Sequence, residues 1–249
     1  MKIELSKRLQ AVANLVSPGM RLVDVGTDHA YIPIYLTEKG KIPFAIAMDI
    51  NKGPLERAEE HIKAHGLEGR IQIRLSDGLA KLQAGEADCA VIAGMGGALM
   101  IKILEEGREM TLQLQELVLQ PQSELEKFRM YLLENGYRVL AEDMIYEDGK
   151  YYPMMKVKPG KMTGESWKPE ELEYGKYLLA TAHPVLKQFL EREIQICHGV
   201  LESLAKQNTE RAKERCEEIE AQIQHVQHIL ETYFAKQIME TAGYTRQIT

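Results

Sequence analysis

Hydrophobic and polar positions alternate with two different periods along the first part of the chain. Apolar residues at 5, 9, 12, 15 and 16 are spaced as on one face of a helix, and Pro18 and Gly19 mark its end. Short apolar runs follow, and most of them are separated by amphipathic segments; they cover 21–26, 44–49, 71–75, 89–93 and 117–120. This alternation predicts five buried strands with helices between them.

The pattern changes again after the fifth apolar run. A helix is predicted from about Glu124 to Leu133, and two strands at 137–146 and 151–157 are predicted to form a closing antiparallel hairpin. Strands that alternate with helices imply a parallel sheet with helices on both faces. The sequence therefore predicts an α/β, Rossmann-like, doubly wound sheet, in which ligands bind outside the carboxyl ends of the strands.

Beyond residue 159 the strand pattern disappears. The segment 159–164 reads as a linker, so the predicted domains are 1–159, with the sheet, and 160–249, which is all-α. Two helical stripes, at 190–204 and 212–233, flank Asn208 and Thr209, which can provide the turn and the N-cap. We favour an antiparallel, coiled-coil-like helical hairpin within one chain over a dimerisation coiled coil, and therefore expect a monomer.

Composition and charge narrow the classes of function. The chain has 249 residues, of which 45% are hydrophobic and 27% charged, and no apolar run reaches the ~20 residues of a membrane helix. Charged residues at the N-terminus do not suit a signal peptide, so we expect a cytoplasmic protein without a membrane partner. The net charge of −6 does not point to nucleic acid, so RNA binding would need a local basic face.

The cysteines and histidines do not indicate a metal site. Cys89, Cys197 and Cys216 are far apart, which suggests neither a disulfide framework nor a metal-binding pair. His225 and His228 are three residues apart on a long polar helix, where exposure to solvent is the simpler interpretation. We therefore expect no metal.

The first strand ends in the sequence Asp24-x-Gly26-x-Asp28-x-Ala30. A dinucleotide site would have G-x-G-x-x-G, but Asp28 replaces its second glycine and Tyr31 its third. A carboxylate repels a pyrophosphate, whereas Asp24 and Asp28 suit a cationic ligand. S-adenosylmethionine carries both a sulfonium and an ammonium group.

Three other strand ends carry residues suited to the same ligand. Asp49, 23 residues after Gly26, could accept hydrogen bonds from both hydroxyls of a ribose. Asp77 could accept from an adenine amino group, and Leu79 could flank the ring. The glycine-rich loop at 93–97 would let a ligand approach the backbone closely. This loop lacks the Asp/Asn-Pro-Pro-aromatic sequence that many methyltransferases acting on exocyclic amines use, which favours a different acceptor atom.

These motifs together resemble the bacterial tRNA (adenine-22-N1)-methyltransferase family. The resemblance is carried by DVGTDHAYIPI at 24–34, MDIN at 48–51, SDGL at 76–79 and AGMGG at 93–97. It also covers the start of the chain, the segments around Gln120 and 147–152, and the C-terminal helical pair. Two positions depart from the family pattern: Gln122 replaces an expected Asn, and Lys176 an expected Pro.

The resemblance implies a class I methyltransferase sheet, S-adenosyl-L-methionine as cofactor, and methylation of adenine N1 in the D-arm region of a tRNA. Asp28, Tyr31 and Gln120 are the catalytic candidates, as groups that could orient the base. The cofactor-binding candidates are Asp24, Gly26, Thr27, Asp28, His29, Asp49, Ile50, Asp77, Gly78, Leu79, Ala93, Gly94, Met95 and Gly96. Candidates for phosphate contacts are Lys7, Arg8, Arg129 and Lys150, with Lys156 and Lys158.

Two alternatives stay open at this point, one with the same fold and one from another class of protein. A small-molecule methyltransferase with a helical lid would fit the acidic net charge better. A non-catalytic adaptor with a vestigial Rossmann-like domain would bind protein through its helical hairpin, although the combination of Asp24, Gly26, Asp49 and Asp77 argues against it.

Overall fold

The computed structural model describes residues 3–160, 166–207 and 209–244, with side chains as far as Ala235. The strands are β1 (Leu22–Val25), β2 (Ala45–Asp49), β3 (Ile71–Leu75), β4 (Cys89–Met95), β5 (Glu116–Pro121), β6 (Tyr137–Glu147) and β7 (Lys150–Pro159). The helices are α1 (Lys7–Leu15), α2 (Tyr31–Glu38), α3 (Lys52–Ala64), α4 (Gly97–Glu106), α5 (Arg108–Thr111), α6 (Leu125–Glu134), α7 (Pro169–Tyr174), α8 (Lys176–Ala180), α9 (Pro184–Leu204) and α10 (Glu210–Tyr244).

The strands form one sheet in the order β3-β2-β1-β4-β5-β7-β6. The first five are parallel, whereas β7 runs antiparallel to both β5 and β6. The central strands β1 and β5 are buried along their whole length, because helices cover both of their faces. The predicted doubly wound sheet and its closing hairpin are confirmed.

The first compact unit is longer than the predicted domain 1–159. It spans Met1–Glu173, and the second unit spans Tyr174–Thr249. Arg129 of α6 contributes to this extension, because its Nη1 donates to the carbonyl oxygens of Leu172 and Glu173, both at 2.9 Å. Residues 161–164 of the predicted linker lie outside the described residues.

The burial of Arg129 bears on its predicted contact with RNA phosphates. Its side chain is only 1% exposed, and its Nε donates to Glu142 Oε1 at 2.8 Å in an equally buried ion pair. A guanidinium enclosed in this way is not accessible to an RNA phosphate. Arg129 therefore holds the first unit together, and the prediction that it contacts RNA was wrong.

The second unit contains the predicted helical hairpin. Cys197 of α9 packs with Ile219 and Ile223 of α10, and partly buried apolar residues of α9 surround them. Thr209 caps α10, since its Oγ1 accepts from the backbone N–H of Ala212 at 3.2 Å, while Asn208 lies outside the described residues. Lys176, which replaces an expected Pro, begins α8.

No described helix has the length and apolar character needed to span a membrane. Among the described side chains, no group of three or more His, Cys, Asp or Glu residues is arranged to hold a metal ion.

Candidate functional site

Two adjacent cavities lie at the carboxyl ends of β1, β2 and β4. The larger, about 460 Å³, is lined by Asp49, and we call it the Asp49 cavity. The smaller, about 330 Å³, is lined by Asp24 and Asp28, and we call it the Asp28 cavity. Both volumes fall in the range of small-molecule sites. The two cavities share Gly26, Ala93 and Gly94, so a ligand in one lies against a ligand in the other.

Gly26 forms the turn between the cavities. Its φ of +75° is one that residues with a side chain rarely adopt, and a Cβ at this position would overlap the end of the Met95 side chain, which lines the Asp49 cavity. Its N–H donates to the carbonyl oxygen of Met48 at 2.9 Å, which fixes the turn against β2. The backbone therefore has to be bare at this point for the cavities to keep their shape.

Gly94 is the second glycine that leaves the backbone accessible to a ligand, and it lies at an irregularity in β4. The pairing with β5 shifts register between Ala93 and Met95, and Gly94 has a φ of +80°. Its N–H donates to Gln120 Oε1 at 3.1 Å, while Gln120 Nε2 donates to the carbonyl oxygen of Pro121. Gln120 is fully buried, and both ends of its amide are engaged. In this structure Gln120 supports the loop, which argues against the predicted contact of its amide with the target base.

Asp24 supplies a buried negative charge to the Asp28 cavity. It is 7% exposed, and desolvation raises its pKa to about 6, a shift that a nearby Asp49 increases. The Thr27 hydroxyl opposes this shift by donating to Asp24 Oδ2 at 2.6 Å. A cationic ligand would stabilise the ionised form of this carboxyl group, which burial otherwise disfavours.

The Asp49 cavity combines acidic acceptors with apolar surface. Asp49 Oδ1 accepts from the backbone N–H of Asn51 at 2.7 Å, which orients the carboxylate at the end of β2. Ile50 and Leu99 line the same cavity and are about half exposed. Such apolar side chains suit the faces of a planar base. Leu99, Lys102 and Ile103 were missed by the sequence reasoning, although their helical spacing after the glycine loop was an available signal.

The remaining cofactor candidates divide into two groups. Several line the Asp49 cavity as predicted, namely Asp77, Gly78, Ala93 and Met95, and Thr27 lines the Asp28 cavity. Three line neither cavity. The Leu79 side chain is buried beside Gly107 and lines a separate space of about 70 Å³, which corrects its predicted place against an adenine ring. Gly96 is the N-cap of α4, and His29 lies in the turn that follows Asp28.

The turn Asp28-His29-Ala30 has an unusual backbone. His29 and Ala30 have φ values of +66° and +55°, which non-glycine residues rarely adopt, and such strain is typical of functional sites. The His29 ring stacks on Tyr31 and on His61, with centroids 5.1 Å apart in each case. This stacking holds Tyr31 in the wall of the Asp28 cavity.

Asp28 itself is accessible at the mouth of its cavity. Its side chain is 64% exposed, and Oδ1 accepts from Arg57 Nη2 at 2.9 Å. A carboxylate with this exposure keeps acceptor positions for a ligand, because each oxygen can accept two hydrogen bonds. Asp28 and Tyr31 thus remain together as candidates to orient a base.

The basic residues predicted to contact RNA phosphates differ in their location and exposure. Lys7 and Lys150 are exposed, and they share one corner because Glu147, the register partner of Lys150, accepts from the Lys7 backbone N–H at 2.7 Å. Arg8 lines the Asp28 cavity together with Gln122. Lys156 is engaged elsewhere, with Nζ 2.8 Å from Glu116 Oε2 at the start of β5.

The residues present fit S-adenosylmethionine. Asp24 offers a buried carboxylate for a cation, Asp49 an acceptor for ribose hydroxyls, and Gly26 and Gly94 a bare backbone. S-adenosylmethionine would supply an electrophilic methyl carbon. The protein would bind the two reactants, orient them and exclude water from them. Most of the rate enhancement of such a transfer arises from this positioning.

Gly26→Arg is expected to abolish cofactor binding, because the new side chain would fill the turn between the cavities. Gly40→Arg is a matched control: Gly40 also has a positive φ, +64°, but nothing lies within 4 Å of a Cβ there. Isothermal titration calorimetry of both variants checks the effect. Unchanged affinity in Gly26→Arg would refute the assignment of the site.

Comparisons with known proteins show the family of this chain. Residues 22–228 match the family described as TrmK: tRNA (adenine(22)-N(1))-methyltransferase. A Bacillus subtilis (strain 168) protein named tRNA (adenine(22)-N(1))-methyltransferase is 32% identical over 92% of this chain and 98% of its own length. The match therefore extends well beyond the sheet.

Solved structures give the same result. Streptococcus pneumoniae Sp1610 in complex with S-adenosyl-L-methionine is 34% identical, with a TM-score of 0.80, over 91% of this chain and all of that one. The B. subtilis m1A22 tRNA methyltransferase TrmK is 31% identical, with a TM-score of 0.76, over 92% of this chain and 99% of that one. The M. capricolum TrmK, solved with S-adenosyl-homocysteine, is 27% identical with a TM-score of 0.77, over 92% of this chain and 99% of that one. The chain belongs to the tRNA (adenine(22)-N(1))-methyltransferase family.

Proposed function

We propose that this protein transfers the methyl group of S-adenosyl-L-methionine to the N1 atom of adenine 22 in the D-arm region of tRNA. The observation that carries the proposal is the pair of cavities with a common wall at Gly26, Ala93 and Gly94. The Asp49 cavity would hold the adenosine part of the cofactor, whose cationic part would reach past Gly26 to Asp24. The target adenine would enter the Asp28 cavity beside Asp28 and Tyr31. Family membership and the cofactor complexes of relatives support this arrangement.

The chemistry of the acceptor agrees with the residues available. Adenine N1 has a free lone pair, so no proton must leave before it attacks the methyl carbon. What the protein must supply is alignment of N1, methyl carbon and sulfur. Asp28 would accept a hydrogen bond from the adenine amino group, and Tyr31 would offer a ring to a base that has left its stack. Gln122, at the same cavity, is a further candidate to contact the base edge.

The exposed corner formed by Lys7 and Lys150 would contact tRNA phosphates near the target nucleotide. We further propose that the protein acts as a monomer, since Cys197, Ile219 and Ile223 pack within one chain. A tRNA substrate accords with the cytoplasmic location expected from the sequence.

The test compares two tRNA transcripts that differ at nucleotide 22. We expect methylation when it is adenosine and none when it is guanosine, because guanine N1 carries a proton and an adjacent carbonyl group. Mass spectrometry of nuclease fragments locates the methyl group. Transfer to free adenosine in preference to tRNA would instead support a small-molecule enzyme. A protein that binds no cofactor would support the adaptor alternative, and methyl transfer to no tRNA would refute the proposal.

A further inference from the structure

The N-terminal turn of α1 is fixed at the edge of the sheet that carries the cavities. Ser6 caps the helix by accepting from the Leu9 backbone N–H at 3.3 Å. The two carboxylate oxygens of Glu147, at the end of β6, accept from the backbone N–H groups of Lys7 and Arg8 at 2.7 and 3.2 Å. The position of the Arg8 backbone is therefore set by the β6–β7 hairpin as well as by its own helix.

The Arg8 side chain is fixed from two further directions. Its guanidinium carbon lies 5.5 Å from the centre of the Tyr152 ring, a geometry that favours a cation over the aromatic face. Its Nη1 donates to Gln120 Oε1 at 3.1 Å. A guanidinium oriented in this way loses little further freedom when it binds a ligand.

The orientation of the Gln120 amide follows from its surroundings. Because the Gly94 N–H needs an acceptor, the oxygen of the amide must face Gly94, and the same oxygen accepts from Arg8. Arg8 is thereby linked to the bare loop that forms the common wall of the cavities. Within the described part of the chain this is the one hydrogen bond of the guanidinium, so its other N–H groups are left for solvent or a ligand.

Side chains of both signs of charge line the Asp28 cavity. Asp24 and Asp28 are acidic, and Arg8 is the one basic side chain among the described residues that line it. A nucleotide that enters this cavity brings a neutral base and an anionic phosphodiester. The Asp24 carboxylate would repel that phosphodiester, and Arg57 is engaged in its ion pair with Asp28. The Arg8 guanidinium, by contrast, can bind phosphate through paired N–H groups.

We propose that Arg8 binds a phosphate that flanks the target adenosine and so fixes the nucleotide while its base enters the Asp28 cavity. The inference rests on the proposed function and deepens it. It separates Arg8 from Lys7 and Lys150, whose exposed side chains would contribute general attraction to tRNA. Arg8 is then a binding residue for the reacting nucleotide, with Gln120, Tyr152 and Glu147 as its positioning residues.

A double-mutant cycle between protein and RNA tests the proposal. The tRNA carries a neutral methylphosphonate at either phosphate flanking adenosine 22, and each is assayed with the wild-type protein and with Arg8→Ala. We expect Arg8→Ala to lower kcat/KM about tenfold to a hundredfold on unmodified tRNA. One of the two neutral linkages should lower it similarly with the wild-type protein and have little further effect on the variant. Arg8→Lys should recover only part of the loss.

Controls keep the result interpretable. Lys63→Ala removes an exposed positive charge from the far end of α3 and should leave all rates unchanged. Cofactor affinity of Arg8→Ala, measured by calorimetry, reports whether the Gly94 loop is intact. Neutral linkages that do not affect the wild-type protein, or that affect Arg8→Ala as strongly, would overturn the inference. If wild-type protein fails to methylate the unmodified tRNA at nucleotide 22, the proposed function itself fails.

Discussion

Asp24→Asn is expected to lower the affinity for S-adenosyl-L-methionine by about tenfold to a hundredfold at pH 8, the range for a hydrogen bond to a charged group. At that pH the Asp24 carboxyl group of the wild-type protein is ionised, since its pKa is about 6. The variant keeps the shape of the side chain and an oxygen for the Thr27 hydroxyl, but it loses the negative charge. The effect therefore isolates the charge from the packing.

The same substitution is expected to stabilise the protein without ligand. Burial raises the pKa of Asp24 above the unfolded value of 3.8, so its contribution to stability is fully present below pH 3.8 and is lost as pH rises through 6. Above pH 6 the buried charge lowers the free energy of unfolding by up to about 3 kcal/mol, the equivalent of the pKa shift. Asn carries no charge at any pH, so Asp24→Asn should gain about twice as much stability at pH 8 as at pH 5, where the wild-type penalty is about half developed.

Calorimetry with the cofactor and urea unfolding at the two pH values check both effects. Asp88→Asn is the opposite control: its hydrogen bonds with Arg21 hold the pKa of Asp88 at about 2, and Asp88 lines neither of the two cavities. That variant should lose stability at neutral pH and keep its cofactor affinity. Unchanged cofactor affinity in Asp24→Asn would mean that the buried carboxylate does not face the cation.

The fold could be predicted because its signals are local. Runs such as 44–48 and 89–93 are apolar throughout, as strands buried on both faces require, and turn residues separate them from amphipathic helices. The positions of Asp24, Gly26, Asp49 and Asp77 followed from one topological rule, that carboxyl ends of parallel strands meet at one edge. The structure has all four at the cavities.

The errors arose where long-range partners decide what a side chain does. Arg8 and Arg129 are both arginines on amphipathic helices, but Glu142, thirteen residues after Arg129, makes one of them an internal ion pair. Gln120 is fixed by the unpaired N–H of Gly94, which results from a register shift between two strands. Neither partner can be found from spacing along the chain, because each contact depends on how the sheet is assembled.

Removal of the Arg129 side chain is expected to cause the largest loss of stability. In Arg129→Met the Glu142 carboxylate stays buried without its guanidinium partner, and the carbonyl oxygens of Leu172 and Glu173 lose a donor. Breaking a buried pair on one side typically lowers the free energy of unfolding by about 3–5 kcal/mol. Urea unfolding measures this loss, and the end of the first unit should become the segment most accessible to proteases.

Lys127→Met is the matched control on the same helix. Its ion pair with Glu124 spans 3.6 Å and its side chain is 73% exposed, so we expect a change within about 0.5 kcal/mol. Arg129→Met/Glu142→Leu should recover part of the lost stability, because the buried carboxylate is removed together with its guanidinium partner. Reduced tRNA affinity in Arg129→Met with unchanged stability would restore the RNA-contact interpretation. We expect the reverse: below its unfolding temperature, the variant should bind cofactor and tRNA as the wild-type protein does.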